Sequence, residues 1–181
     1  DRLGVSAIIL EDKVGLKKNS LFKEQSGVKQ DTKKDFSKKI SVSKKSTVSK
    51  DFMVIARIES FILGKDINDA LSRANAYSKA GADAIMIHSK EKNPKQVFSF
   101  AKKFRKSKYF KPLVAVPSTY SFTTEKKLIE NGFKIVIYAN QLLRASHPAM
   151  VDVASSILKN GRAYESEKKL SSVSSIIKLI K

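Results

Sequence analysis

The sequence predicts an α/β fold of the (β/α)₈ TIM-type barrel kind, incomplete here, and three observations carry that expectation. Five short apolar, β-branched runs recur along the 181 residues, each followed by a helical pattern. Their hydrophobicity is nearly continuous rather than alternating, as a parallel strand buried on both faces requires. Polar residues gather where the runs end: Glu11-Asp12-Lys13, Arg57 with Glu59, His88-Ser89, Ser118 and Asn140. In a barrel those ends converge on one mouth, whereas an open sheet spreads them out. A complete barrel takes about eight strands and 250 residues, so upstream strands are expected to be missing from this sequence. A five-stranded open sheet is the alternative.

The runs are Gly4 to Leu10, Phe52 to Ile58, Ala82 to Ile87, Pro112 to Val116 and Phe133 to Ala139. Between the second and third, Asp66 caps an expected helix. Its apolar residues Ile67, Ala70, Leu71, Ala74 and Tyr77 keep 3–4 spacing, and Gly81 ends it. Asn93-Pro94 opens the next, with Val97, Phe98, Ala101 and Phe104 on one face. Thr123 or Thr124 opens a shorter helix that stops at Asn131-Gly132. Two helices close the chain, at Pro148 to Lys159 and Glu167 to Ile180. Upstream, a helix is expected near Asp35 to Val42, and Ser41 to Lys50 reads as exposed connector. The expected organisation is one partial barrel domain over 1–181, with 14–50 as mobile active-site loop and connector and 142–181 as C-terminal helices.

Composition excludes several function classes. Without cysteine there are no disulfides, thiolate metal sites or cysteine nucleophiles. No apolar run is long enough for a membrane span, and the N-terminus lacks signal-peptide layout, so a soluble, cytoplasmic protein is expected. The formal charge of +19 suggests polyanion binding at first sight, yet only six of the 36 basic residues are arginine, the side chain that base-reading surfaces favour. A solvated lysine-rich surface is the simpler account, and nucleic acid is not the expected partner. An anionic small substrate is compatible with the same field.

The chemistry centres on Glu11-Asp12-Lys13, followed after five residues by Asn19-Ser20 (EDKVGLKKNS). This signature resembles that of the phosphoenolpyruvate mutases, in the phosphoenolpyruvate mutase/isocitrate lyase superfamily. Further stretches agree in order along the chain: ARIES at 56–60, DALSRANAYSKAGADAIMIHSK at 69–90, VPSTY at 116–120, YANQLLRA at 138–145 and AM at 149–150. The resemblance implies strands four to eight of the barrel, and an isomerase that interconverts phosphoenolpyruvate and 3-phosphonopyruvate by intramolecular phosphoryl transfer. It implies Arg57 on the phosphoryl oxygens, His88 beside it, Asn19, Ser20 and Leu21 as further substrate contacts, and Lys17 as the gating residue of the loop. Glu11 would hold Mg2+ through water.

The family's main aspartate ligands come from earlier strands that this sequence does not contain, so catalysis by this chain alone is not expected. Family members are tetramers, dimers of dimers with exchanged helices. Ala149, Val153, Ile157 and Leu158 would provide the apolar face for that contact. Three departures from the family pattern stand out: Gly15-Leu16 where Phe-Pro is usual, Ser118 and Ser121 in place of threonine and tyrosine, and Gln141 in place of histidine. The absence of cysteine disfavours the superfamily's lyases. Phosphonopyruvate hydrolase shares the EDK and arginine positions but departs at the asparagine, so Asn19 favours the mutase. A non-catalytic lysine-rich polyanion-binding module is the alternative from another class.

Overall fold

The computed structural model describes residues 1–15, 19–20 and 24–180. In chain order its elements are β1 (Ala7–Glu11), β2 (Lys13–Val14), β3 (Lys29–Gln30), α1 (Lys33–Lys45), β4 (Met53–Ile58), α2 (Ile67–Lys79), β5 (Ala84–Ile87), α3 (Lys95–Phe104), β6 (Leu113–Ala115), α4 (Glu125–Glu130), β7 (Phe133–Val136), α5 (Gln141–Asn160), a 3₁₀ helix (Tyr164–Lys169) and α6 (Val173–Ile177). The chain forms two compact units, Asp1–Tyr138 and Ala139–Lys181.

In the first unit the five expected strands form one parallel sheet in the order β1-β4-β5-β6-β7. Each strand lies beside its neighbour in the series, with no reversal of direction along the sheet. A doubly wound sheet has such a reversal at its switch point, and a barrel does not. The sheet is therefore an arc of barrel type, as the runs implied.

Both faces of the sheet are covered by apolar side chains, which is why the runs lack alternation. Val54, Ala56, Ile58, Ile85, Ile87, Leu113, Ala115 and Phe133 belong to the larger cluster, with Ala70, Ala74 and Tyr77 of α2 and Val97, Phe100 and Phe104 of α3. The alternate positions Ile55, Ala84, Met86, Val114 and Val116 form a second, smaller cluster. Because strand side chains alternate, everything in register with Ile55 and Met86 shares that second face. β1 ends the sheet, and its Ile8 and Ile9 are 36% and 41% exposed.

The helices open where their caps placed them. Asp66 accepts from Asp69 N at the start of α2, and Thr124 accepts from Lys127 N at the start of α4. α1 is longer than the sequence suggested and takes in Ser41 to Lys45. Thr32 caps it, Phe36 and Ile40 are buried one turn apart, and Phe36 meets Tyr77 edge-on at 4.6 Å. Lys44 then ties the last turn to Asp83 at 2.7 Å. The short antiparallel pair β2 and β3, not expected from sequence, joins Lys13 to Gln30 in register.

The second unit departs further from expectation. α5 begins seven residues before Pro148, which lies inside it. The proline forgoes one backbone hydrogen bond, while Leu142, Leu143 and Ala145 are good helix formers that carry the helix upstream. The expected final helix is broken into the 3₁₀ segment and α6. Ser172 accepts from Ser175 N to start α6 afresh, the local competition that serines offer a continuous helix. Among the described residues, no helix is long and apolar enough to cross a membrane.

Candidate active site

Strand register brings the first functional groups together. Glu11 lies opposite Arg57 on β1 and β4, and Arg57 lies opposite Met86 on β5, two residues before His88. All of these positions fall on the face of the smaller apolar cluster, at the carboxyl ends of their strands. Glu59 has the same parity as Arg57, one pleat further on.

Their side chains make a compact ionic knot around one hydroxyl. Ser20 Oγ accepts from Lys13 Nζ at 2.8 Å and from Arg57 Nη2 at 2.8 Å, and donates to Glu59 Oε2 at 2.5 Å. The hydroxyl therefore uses its one donor and both acceptor sites. Glu59 is fully buried, its other oxygen takes Arg57 Nε at 2.7 Å, and Lys13 Nζ lies 2.8 Å from Oε2. Glu11 stands further off, 3.4 Å from Lys13 and 3.6 Å from Arg57. Burial alone would push the Glu59 carboxyl up, but the Arg57 charge and the hydrogen bonds from Lys13, Ser20 and Arg57 hold it below the usual carboxylate range.

Asp12 faces the opposite way, into the helix side of the sheet. Its Oδ1 accepts from Glu59 N at 2.9 Å, and its Oδ2 accepts from Tyr77 Oη, Gln30 Nε2 and Arg73 Nη1 at 2.8, 2.9 and 3.3 Å. Arg73 Nη1 also donates to Asp31 O at 2.8 Å. One carboxylate thus pins the strand end that carries Glu59 to α2 and to the chain beside β3. Burial raises the Asp12 carboxyl to about 6, against the pull of the Glu59 amide, Tyr77, Arg73 and Gln30. The EDK triplet marked this position without revealing the network, because Gln30, Arg73 and Tyr77 are distant in sequence.

His88 is buried, and its Nδ1 has no hydrogen-bond partner among the described residues. Burial first, then the positive charges of Arg57 and Lys13, lower its pKa to about 4 despite Glu59. The imidazole is therefore neutral at physiological pH. Asn19 is exposed, and its carbonyl oxygen accepts from Gln25 Nε2 at 3.0 Å. Lys17 and Leu21 lie outside the described residues. The structure thus brings Glu11, Ser20, Arg57 and His88 together and adds Lys13 and Glu59, which the sequence reading had not assigned. Asn140 and Gln141 open α5, in the second unit.

Magnesium asks for several oxygen donors. Both oxygens of Glu59 and both of Asp12 are already engaged, which leaves Glu11. Among the described residues no group of three acidic or histidine side chains could hold an ion. These residues do not by themselves make a magnesium site.

A barrel-type parallel sheet with a cluster of ionised side chains at the carboxyl ends of its strands defines the class of barrel folds whose enzymes build their active sites at that mouth. Within that class, residues 1–158 match the phosphoenolpyruvate phosphomutase family, and the chain belongs to it. The chain is 37% identical over 179 residues to the phosphonopyruvate hydrolase of Variovorax sp. (strain Pal2), covering 97% of this chain and 60% of that protein. It superposes on the crystal structure of phosphoenolpyruvate phosphomutase from Streptomyces platensis subsp. rosaceus with a TM-score of 0.91 and 35% identity, over 98% of this chain and 60% of that one. Against a phosphonopyruvate hydrolase crystallised with oxalate and Mg++, the TM-score is 0.85 at 35% identity, over 98% and 59% of the two chains. The chain thus spans about 60% of the length of these relatives.

Proposed function

We propose that this chain provides the phosphoryl-handling side of a phosphoenolpyruvate mutase, an isomerase interconverting phosphoenolpyruvate and 3-phosphonopyruvate. The observation that carries this reading is the convergence of Arg57 and Lys13 on the Ser20 hydroxyl. In the reaction the phosphorus–oxygen bond to the enol oxygen breaks and a phosphorus–carbon bond to the neighbouring carbon forms, with no external group consumed. A loose phosphoryl transition state needs positioned charge more than a covalent partner. Arg57 supplies a permanent, forked cation for the equatorial oxygens.

A phosphoryl oxygen would replace Ser20 Oγ on Arg57, and the freed hydroxyl, with Asn19, would hold the moving group as neutral partners. Lys17 and Leu21 keep their expected roles, as loop gate and substrate contact. His88, neutral and buried, suits hydrogen bonding to the transferring oxygen. A group with a pKa of about 4 is a weak base at neutral pH, which argues against His88 activating water for hydrolysis.

Hydrolysis of phosphonopyruvate is the second reading, favoured by the 37% identity to the Variovorax hydrolase. Phosphorus NMR of an enzyme carrying this chain, incubated with phosphonopyruvate, separates the two. Phosphoenolpyruvate as product supports the mutase. Pyruvate and inorganic phosphate as the dominant products reject it.

The homo-oligomer expected from the resemblance is part of the same proposal. None of the twenty residues of α5 is buried, and with Leu170 several of them line an apolar pocket of about 450 Å³. Such a surface suits contact with a second copy of the chain.

A further inference from the structure

The run from Lys92 to Thr124 contains eight cations, Lys92, Lys95, Lys102, Lys103, Arg105, Lys106, Lys108 and Lys111, and no carboxylate. Among the described residues, none of the eight forms an ion pair. Three of them are gathered in one concavity. A pocket of about 440 Å³ is lined by Lys102, Arg105 and Lys106 at the end of α3 and by Glu130 and Asn131 at the end of α4. Each of these helices runs back along the sheet, antiparallel to the strands it connects. Their last turns therefore lie at the strands' amino ends, and the pocket is at the opposite end of the sheet from Arg57 and Ser20.

Arg105 is exposed, and its guanidinium lies against Gly132. A Cβ on Gly132 would fall 2.2 Å from Arg105 Nη2, so the guanidinium rests where any other residue would put a side chain. Gly132 also has a φ of +91°, which glycine adopts without strain. A guanidinium beside backbone, with no ion pair among the described residues, is available to an external anion.

Cations in the last turn of a helix are often no more than an answer to its dipole, and the magnitudes decide against that account here. A helix end carries about half a charge, so two ends amount to about one. Glu130 adds one more negative charge, but Lys127, 3.8 Å away, answers it. Three lining cations exceed what the helix ends require. The pocket also lacks the aromatic platforms on which single-stranded nucleic acid stacks. Its volume is that of a small-molecule site.

We propose that this pocket is a second anion site, taking a compact, multiply charged phosphorylated small molecule at the face opposite the catalytic cluster. The site does not depend on the mutase reading. Arg105 supplies the fork, Lys102 and Lys106 the flanking charges, and Gly132 the space that seats Arg105.

Calorimetric titration of the chain with tripolyphosphate at physiological ionic strength tests this. Saturable one-to-one binding is expected. It should weaken by about tenfold or more in Arg105→Ala/Lys106→Ala, as loss of charge-assisted hydrogen bonds implies. It should persist in Arg57→Ala, which removes the forked cation of the catalytic cluster, and in the charge-matched surface control Lys34→Ala/Lys45→Ala. Equal weakening in the two double variants would reduce the effect to the general basic field and overturn the proposal, as would absence of saturable binding or its loss in Arg57→Ala. Tighter, steeply salt-dependent binding of a single-stranded oligonucleotide than of tripolyphosphate would assign the surface to nucleic acid instead.

Discussion

Ser20 and Glu59, 39 residues apart in the chain, are joined by a 2.5 Å hydrogen bond in which the hydroxyl donates to a fully buried carboxylate. The same carboxylate pairs with Lys13 and Arg57, so the bond belongs to a largely buried ionic cluster. Removing the hydroxyl and removing the charge should therefore have different costs. Ser20→Ala leaves both ion pairs intact and should destabilise by about 1–2 kcal/mol. Glu59→Gln leaves Lys13, with 1% of its side chain exposed, without its 2.8 Å carboxylate partner, and should cost about 3–5 kcal/mol. Urea denaturation of the two variants measures the difference. Equal losses would show that Glu59 does not hold the cluster together.

Arg57 has two tasks that one ammonium cannot perform together, because Nε serves Glu59 while Nη2 serves Ser20. Arg57→Lys keeps the charge and loses the fork. Affinity for phosphonopyruvate should fall by roughly 10- to 100-fold, the worth of one charged hydrogen bond. Stability should change much less than in Glu59→Gln, since the buried carboxylate retains Lys13. Calorimetric binding beside a denaturation curve reads both. Unchanged affinity would remove Arg57 from the substrate site.

Asp12 and His88 oppose one another in the pH dependence of stability. Burial raises Asp12 from 3.8 to about 6, so its contribution is full below pH 3.8 and is lost as pH rises to about 6. Burial and the Arg57 charge lower His88 from 6.5 to about 4, so its contribution is full above pH 6.5 and is lost as pH falls to about 4. Glu59, held below 4.5, acts at lower pH still. Between pH 4.5 and 6 the folded chain holds an extra proton on Asp12 and lacks one on His88, and the two slopes cancel. Wild-type stability should be nearly flat there as far as these two groups decide it. Asp12→Asn should uncover a rise of up to about 1.4 kcal/mol per pH unit, and His88→Gln a fall of similar size. Thermal denaturation across that window is the measurement. Parallel profiles in the two variants would show that the two sites are not buried as described.

The order and direction of the sheet were legible because two-sided burial leaves a direct mark, an unbroken apolar run such as Ala84 to Ile87. The caps at Asp66 and Thr124 were legible for a similar reason, since the capping side chain is local to the helix it starts. What could not be read were features closed by distant residues. Lys13 and Glu59 stood in the strand-end clusters, but their pairing through Ser20 emerged only when β1 and β4 came into register. α1 was read too short because Lys44 is held by Asp83, 39 residues further on. Pro148 misled because the local rule puts proline at a helix start, while the residues before it sustain the helix. Asp12 was visible as part of a motif, but its role comes from Tyr77 and Arg73 on α2.

α5 gives the last prediction. On it Leu143, Met150, Val153 and Ile157 follow one another at intervals of seven, three and four residues, which places them along one face of a helix. Leu143 and Met150 are 69% and 59% exposed. Burying such a side chain yields about 1.5–3 kcal/mol, so a face of this kind shared by two copies favours association once the ordering cost is met. Sedimentation velocity should show a species larger than a monomer. Leu143→Asp/Met150→Asp should return the chain to a monomer with an unchanged circular dichroism spectrum, because neither residue belongs to a core. A wild-type chain that stays monomeric at high concentration would reject the oligomer. A double variant that still associates would move the interface away from α5.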